Sequence, residues 1–172
     1  MAENTSAPER VQASFRQLSA SATSLNAASD ELRQTISELE TAFKELNLGV
    51  SAWVPIAKGH DSSGEIYWSR DLGYTRFDKN WSIALRTIRG WESAPEDEEK
   101  EVWAFNDAPR WLRVEGVGKL PELLEALIKQ ADETAKKIKN KTAEAKALTE
   151  AIKLAVKQPK EIIYRTGQSP PK

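Results

Sequence analysis

Eleven positions from Val11 to Leu46 follow one another at alternating spacings of four and three: Val11, Phe15, Leu18, Ala22, Leu25, Ser29, Leu32, Ile36, Leu39, Phe43 and Leu46. A repeat of 3.5 residues fits a helix and no strand, and it holds one apolar seam toward a partner in the manner of a coiled coil. The chain is therefore expected to open with one long helix, on the order of 60 Å at 1.5 Å per residue. Ser6 and Glu9 have the spacing of a capping box at its start. Gly49 is the expected left-handed residue at its end. The seam is thin at Ala22 and Ser29, where two helices could approach closely.

A second long helix is expected from Pro121, with Glu122 and Glu125 at its positive end and lysines crowding its later turns. Its seam runs through Leu124, Leu127, Ala131, Ile138, Ala145, Leu148, Ile152 and Ala155, and Pro159 is expected to stop it. Residues 1–49 carry four basic and seven acidic side chains, whereas residues 129–160 carry nine lysines against four acids. Opposite signs favour an antiparallel hairpin in which Val11 and Phe15 meet Leu148, Ile152 and Val156.

Between the helices the period changes. Val50–Ile56, Glu65–Phe77, Trp81–Trp91 and Glu101–Phe105 read as strands, with Gly73 as a bulge and Asp78–Asn80 as a short hairpin connection. Glu92–Lys100 reads as a solvated, mobile acidic loop. Short links between consecutive strands imply an antiparallel meander. Asn106–Pro109 opens a short helix to about Val117. The expectation is an α+β chain in which two long antiparallel helices, a coiled-coil-like hairpin, flank a four-stranded antiparallel β-meander with a short extra helix. Its segments are a disordered tail at 1–6, a coiled-coil helix at 7–48 and a tryptophan-rich head at 50–118. A second coiled-coil helix at 120–158 and a flexible tail at 159–172 complete it.

The chain has 172 residues and no cysteine. That length can bury a sizeable core, and the missing thiol excludes a disulfide scaffold, a cysteine-ligated zinc or iron–sulfur site and a thiol enzyme. No apolar run is long enough to span a bilayer, and Met1–Pro8 is polar. A cytoplasmic protein without a membrane contact is expected. The amphipathic end of the second helix, 152–164, is assigned to helix pairing rather than to a membrane surface. Net charge is −1, which favours no class of partner.

Catalytic chemistry finds little to stand on. The single histidine, His60, is followed by Asp61, Ser62 and Ser63. Neighbours in one tight turn cannot align hydroxyl, imidazole and carboxylate in series, so a polar turn is expected. No phosphate-binding glycine loop or dinucleotide fingerprint is present. Carboxylates such as Asp71 and Asp78 leave a small hydrolase as a distant alternative. No cofactor and no metal is expected.

All six tryptophans lie between residues 50 and 111, and bulky residues occupy both parities of the strands. Something must cover the second face of the sheet: the short helix bearing Trp111, a partner protein or a second copy. Arg70, Arg76, Arg86 and Arg89 alternate with the aromatics, as in single-strand nucleic-acid binders. Yet residues 50–119 hold ten basic and twelve acidic groups. Arginine–carboxylate pairs and arginine stacking on tryptophan explain the same residues without a ligand. The sequence points to a non-enzymatic interaction protein, either binding a protein partner or self-associating. Its expected contacts are Trp53, Trp68, Arg70, Tyr74, Arg76 and Arg86. A nucleic-acid-binding module built on the same residues is the alternative.

Overall fold

The computed structural model describes residues 6–77 and 79–157 of the chain. Helix α1 spans Ala7–Glu45, followed by strands β1 (Ala52–His60), β2 (Ile66–Phe77), β3 (Asn80–Trp91) and β4 (Ala94–Ala104). A 3₁₀ turn (Phe105–Asp107), helix α2 (Arg110–Val117) and helix α3 (Leu120–Lys157) complete it. The strands form one antiparallel sheet in the order β1-β2-β3-β4, the expected meander. The chain divides into two compact units, Met1–Ala131 and Asp132–Lys172.

Helix α1 starts as its sequence implies. The Ser6 amide donates to the Glu9 carboxylate at 2.9 Å, and the Ser6 hydroxyl donates to the same oxygen at 2.8 Å. The helix stops earlier than expected, because Asn47 already takes a left-handed φ of 46° and Gly49 follows at 62°. The expected stop at Pro159, residues 1–5 of the first tail, the tail at 159–172 and Asp78 lie outside the described residues.

Side chains alternate along a strand, so Leu72 and Tyr74 of β2 share a face with their cross-strand partners Leu85 and Ile83. The core of the first unit forms there. Ile36 and Phe43 of α1, Leu112 of α2 and Leu123 and Leu127 of α3 close over it, with Leu32, Leu39, Leu120, Ala126 and Ala131 at the margin. In α3 the inward residues are Leu123 and Leu127, one turn apart, and Leu124 of the expected seam is exposed. Helix α2 joins the same face as the long helices. It therefore does not cover the second face of the sheet.

Two expectations about the strands are corrected. The acidic stretch is not a loop, because β4 begins at Ala94 and carries Glu96, Asp97, Glu98 and Glu99 as exposed strand residues. An edge strand can hold its charges in water, and charge there discourages pairing with another edge. Gly73 is not a bulge, since it pairs in unbroken register with Trp53 on one side and Ala84 on the other. The register shifts instead between Pro55 and Ala57 and between Arg89 and Trp91.

The seam of α1 divides in two. From Leu32 to Phe43 it packs on the sheet, whereas every residue from Ser6 to Ala28 is exposed. The second unit, where described, is the rest of α3, and its Ile138, Leu148, Ile152 and Val156 are exposed. Among the described residues, no helix is long and apolar enough to cross a membrane.

Candidate functional site

Three aromatic rings of the sheet lie over glycines on the neighbouring strand. Trp53 pairs with Gly73, Tyr67 with Gly90 and Trp68 with Gly59. A Cβ on Gly73 or Gly90 would fall well inside van der Waals contact with the ring, and one on Gly59 would lie 2.9 Å from Trp68 Cζ2. Each glycine frees a slot on the pleated surface, and the ring across the ladder fills it. On the face away from the helices, Trp53 and Tyr67 thus shield part of the sheet without any added element.

Arg86 completes that cover. Its guanidinium stacks over Trp53, 4.2 Å from the ring centroid, and its Nε donates to Asp71 Oδ2 at 2.7 Å. Asp71 is buried and also accepts from the Ser69 hydroxyl at 3.4 Å. A buried carboxylate requires such partners, so the arginine, the tryptophan and the acid act as one folding unit.

A second arginine is held on the helix-bearing face. Arg70 lies 4.9 Å from the Trp68 ring centroid and 5.4 Å from that of Trp111, while its Nη1 bonds Glu115 at 3.0 Å. Trp111 and Glu115 sit one turn apart on α2, so that helix supplies both a stacking ring and a countercharge. The sequence reading missed Glu115. The spacing of four between Trp111 and Glu115 on a short helix was the available signal. Trp111 is 50% exposed, and it borders an open hollow with Trp68, Ser69, Thr87 and Arg89.

The other expected contact residues fall elsewhere. Tyr74 is only 2% exposed, edge-on to Phe43 and stacked on Trp81, with centroids 5.4 Å apart in both pairs. Desolvation raises its hydroxyl pKa, with Glu40 adding to the effect. Arg76 is exposed at the far end of β2. The six residues do not converge. Trp53 and Arg86 share one face, Trp68 and Arg70 the other, and Tyr74 lies in the core.

Among the described residues, the histidine and the serine of the His60–Ser63 turn contact different acids. His60 Nε2 faces Glu92 at 3.1 Å on the exposed surface. Ser63 donates to Asp61 at 2.7 Å within the turn, and this bond, with the Ile66 amide, lowers the pKa of Asp61. His60 therefore points to a different acid from the one that holds the serine. Among the described residues, no group of three or more histidine, aspartate or glutamate side chains is placed to hold a metal ion.

Compared with protein-family models, with curated proteins and with solved structures, the chain matches nothing. The geometry alone must carry the functional reading. The first half of α1 carries an exposed apolar stripe. Val11, Phe15, Leu18 and Leu25 are 68%, 69%, 63% and 52% exposed, in heptad register along one side of α1. Val11, Phe15 and Leu18 also line a hollow with Ala7, Arg10 and Ser14.

Proposed function

We propose that this chain is a non-enzymatic interaction module that associates through coiled-coil pairing of the first half of α1, with the sheet as a rigid head. One observation carries the reading: a heptad stripe of four large apolar side chains stands exposed on a helix whose own continuation is packed in the core. Contiguous exposed apolar surface marks interaction sites, and an a/d stripe is complementary to another helix.

The head offers a smaller second surface at Trp68, Trp111 and Arg89. Arg70 and Arg86 are engaged by Glu115 and Asp71, so of the strand arginines beside the aromatic stacks Arg89, across from Trp68, is the one left for the nucleic-acid alternative. The test is affinity capture from native lysate with the tagged wild-type chain and with Leu18→Glu, each with nuclease present. The proposal expects a helical partner or an untagged copy of the chain with the wild type alone. Equal recovery by both proteins, or recovery of nothing by either, refutes it.

A further inference from the structure

Resting on that reading, we infer that the occupant of the exposed α1 stripe is the same stripe of a second copy, lying antiparallel. Assigning the heptad by Phe15 and Ala22 at a and Leu18 and Leu25 at d places Gln12, Ser19 and Asn26 at e and Ser14, Ser21 and Ala28 at g. These flanking positions ordinarily set partner choice through charge. Here all six are uncharged and short or flexible, so an identical helix meets no repulsion across the seam. The charged residues of this half, Glu9, Arg10 and Arg16, occupy outward b and c positions. Apart from Arg110, which donates to Asn26 at 3.2 Å, a strongly charged partner helix would find no complement along these flanks. A second copy needs none.

The direction follows from where the stripe goes next. A straight helix drifts ~20° per heptad from a 3.5 repeat, so the stripe at Ile36 is turned by roughly 60° from that at Phe15. It remains on the same broad side of α1, and from Leu32 to Phe43 it is covered by the chain's own sheet. In a parallel pair, the partner's helix would continue from Leu25 into the space that sheet fills. In an antiparallel pair centred near Leu18, each helix runs away from the other's sheet, and the two heads stand at opposite ends. Small residues at Ala22 and along the flanks let the two backbones approach closely. Phe15 then lies opposite Ser21 and Ala22 of the other copy, and Val11 opposite its Leu25.

The chain contains no cysteine, which makes the arrangement directly testable by single introduced thiols. An antiparallel pair centred near Leu18 brings the two copies of that residue together and holds the two copies of residue 25 roughly 15–25 Å apart, at 1.5 Å per residue. The experiment measures the mass of the full chain by light scattering across ~5–200 µM, then the disulfide yield of Leu18→Cys and Leu25→Cys under mild oxidation. The expected mass approaches twice the 19.2 kDa of one chain. Phe15→Glu and Leu18→Glu return it to one chain and melt as the wild type does at concentrations too low to associate, whereas Ala13→Glu, at an outward f position, leaves it doubled. Leu18→Cys links and Leu25→Cys does not. A single-chain mass throughout, a double mass untouched by both seam variants, or equal linking of both thiols overturns the inference. If only the self-association fails while capture of another helical partner depends on Leu18, the interaction reading stands and the identity of its occupant changes.

Discussion

The indole of Trp53 on β1 lies across the backbone of Gly73 on β2, its direct partner in the ladder, and leaves no room for a Cβ there. Gly73 has no left-handed backbone to explain its presence. The space the ring takes is the reason. Gly73→Ala should therefore destabilise by about 1–3 kcal/mol through overpacking. Gly90→Ala, beneath Tyr67, should behave alike, and chemical denaturation of both variants measures it.

Arg86 and Asp71 extend the same relationship to charge. Arg86→Ala removes the 2.7 Å bond to a buried carboxylate and the guanidinium over Trp53. The expected cost is roughly 2–3 kcal/mol, because the acid loses its counterpart. Arg76 is exposed, and Arg76→Ala should change stability by less than about 0.5 kcal/mol. Comparable losses from the two would mean that the pairing contributes nothing specific.

One helix offers an internal control on burial. Ile36 and Phe15 belong to the same heptad seam, yet Ile36 is 1% exposed in the core and Phe15 stands in solvent. Ile36→Ala should cost about 2–5 kcal/mol. Phe15→Ala should leave the monomer's stability unchanged within about 0.5 kcal/mol when measured below the concentration at which chains associate.

Two tyrosines should make the fold sensitive to alkali. Tyr74 is raised above the usual phenol value by desolvation and then by Glu40, and Tyr67 by desolvation and then by its hydrogen bond to Glu98. A group whose folded pKa is raised contributes stability that is full below its unfolded value, near 10, and is lost as pH rises through the folded value. Stability should accordingly fall above pH ~10. Tyr74→Phe and Tyr67→Phe should each flatten that fall, which equilibrium unfolding at stepped pH will read.

Much of this architecture was legible in local chemistry. The unbroken repeat from Val11 to Leu46 gives the first helix, the Ser6–Glu9 spacing gives its cap, and alternation with short links gives the meander. The acidic strand was not legible, because Glu96–Glu99 have poor strand propensity and are tolerated only where an edge leaves them in water. Nor was the role of Gly73, since a glycine under a cross-strand ring reads the same as a glycine at a bulge. The seam of α1 shows a deeper limit. A heptad pattern states that a stripe wants cover, but not by what, and here the answer changes near Ser29. The candidate residues divide on the same principle, because composition gathers aromatics and arginines into one segment while strand parity sends them to opposite faces or into the core.

Hydrogen exchange along α1 tests the central claim most directly, comparing the full chain at ~5 µM and ~200 µM. The account predicts that amide protection in residues 7–28 rises with concentration, while residues 32–45, already held on the sheet, do not change. Exchange in residues 7–28 that is the same at both concentrations would contradict it.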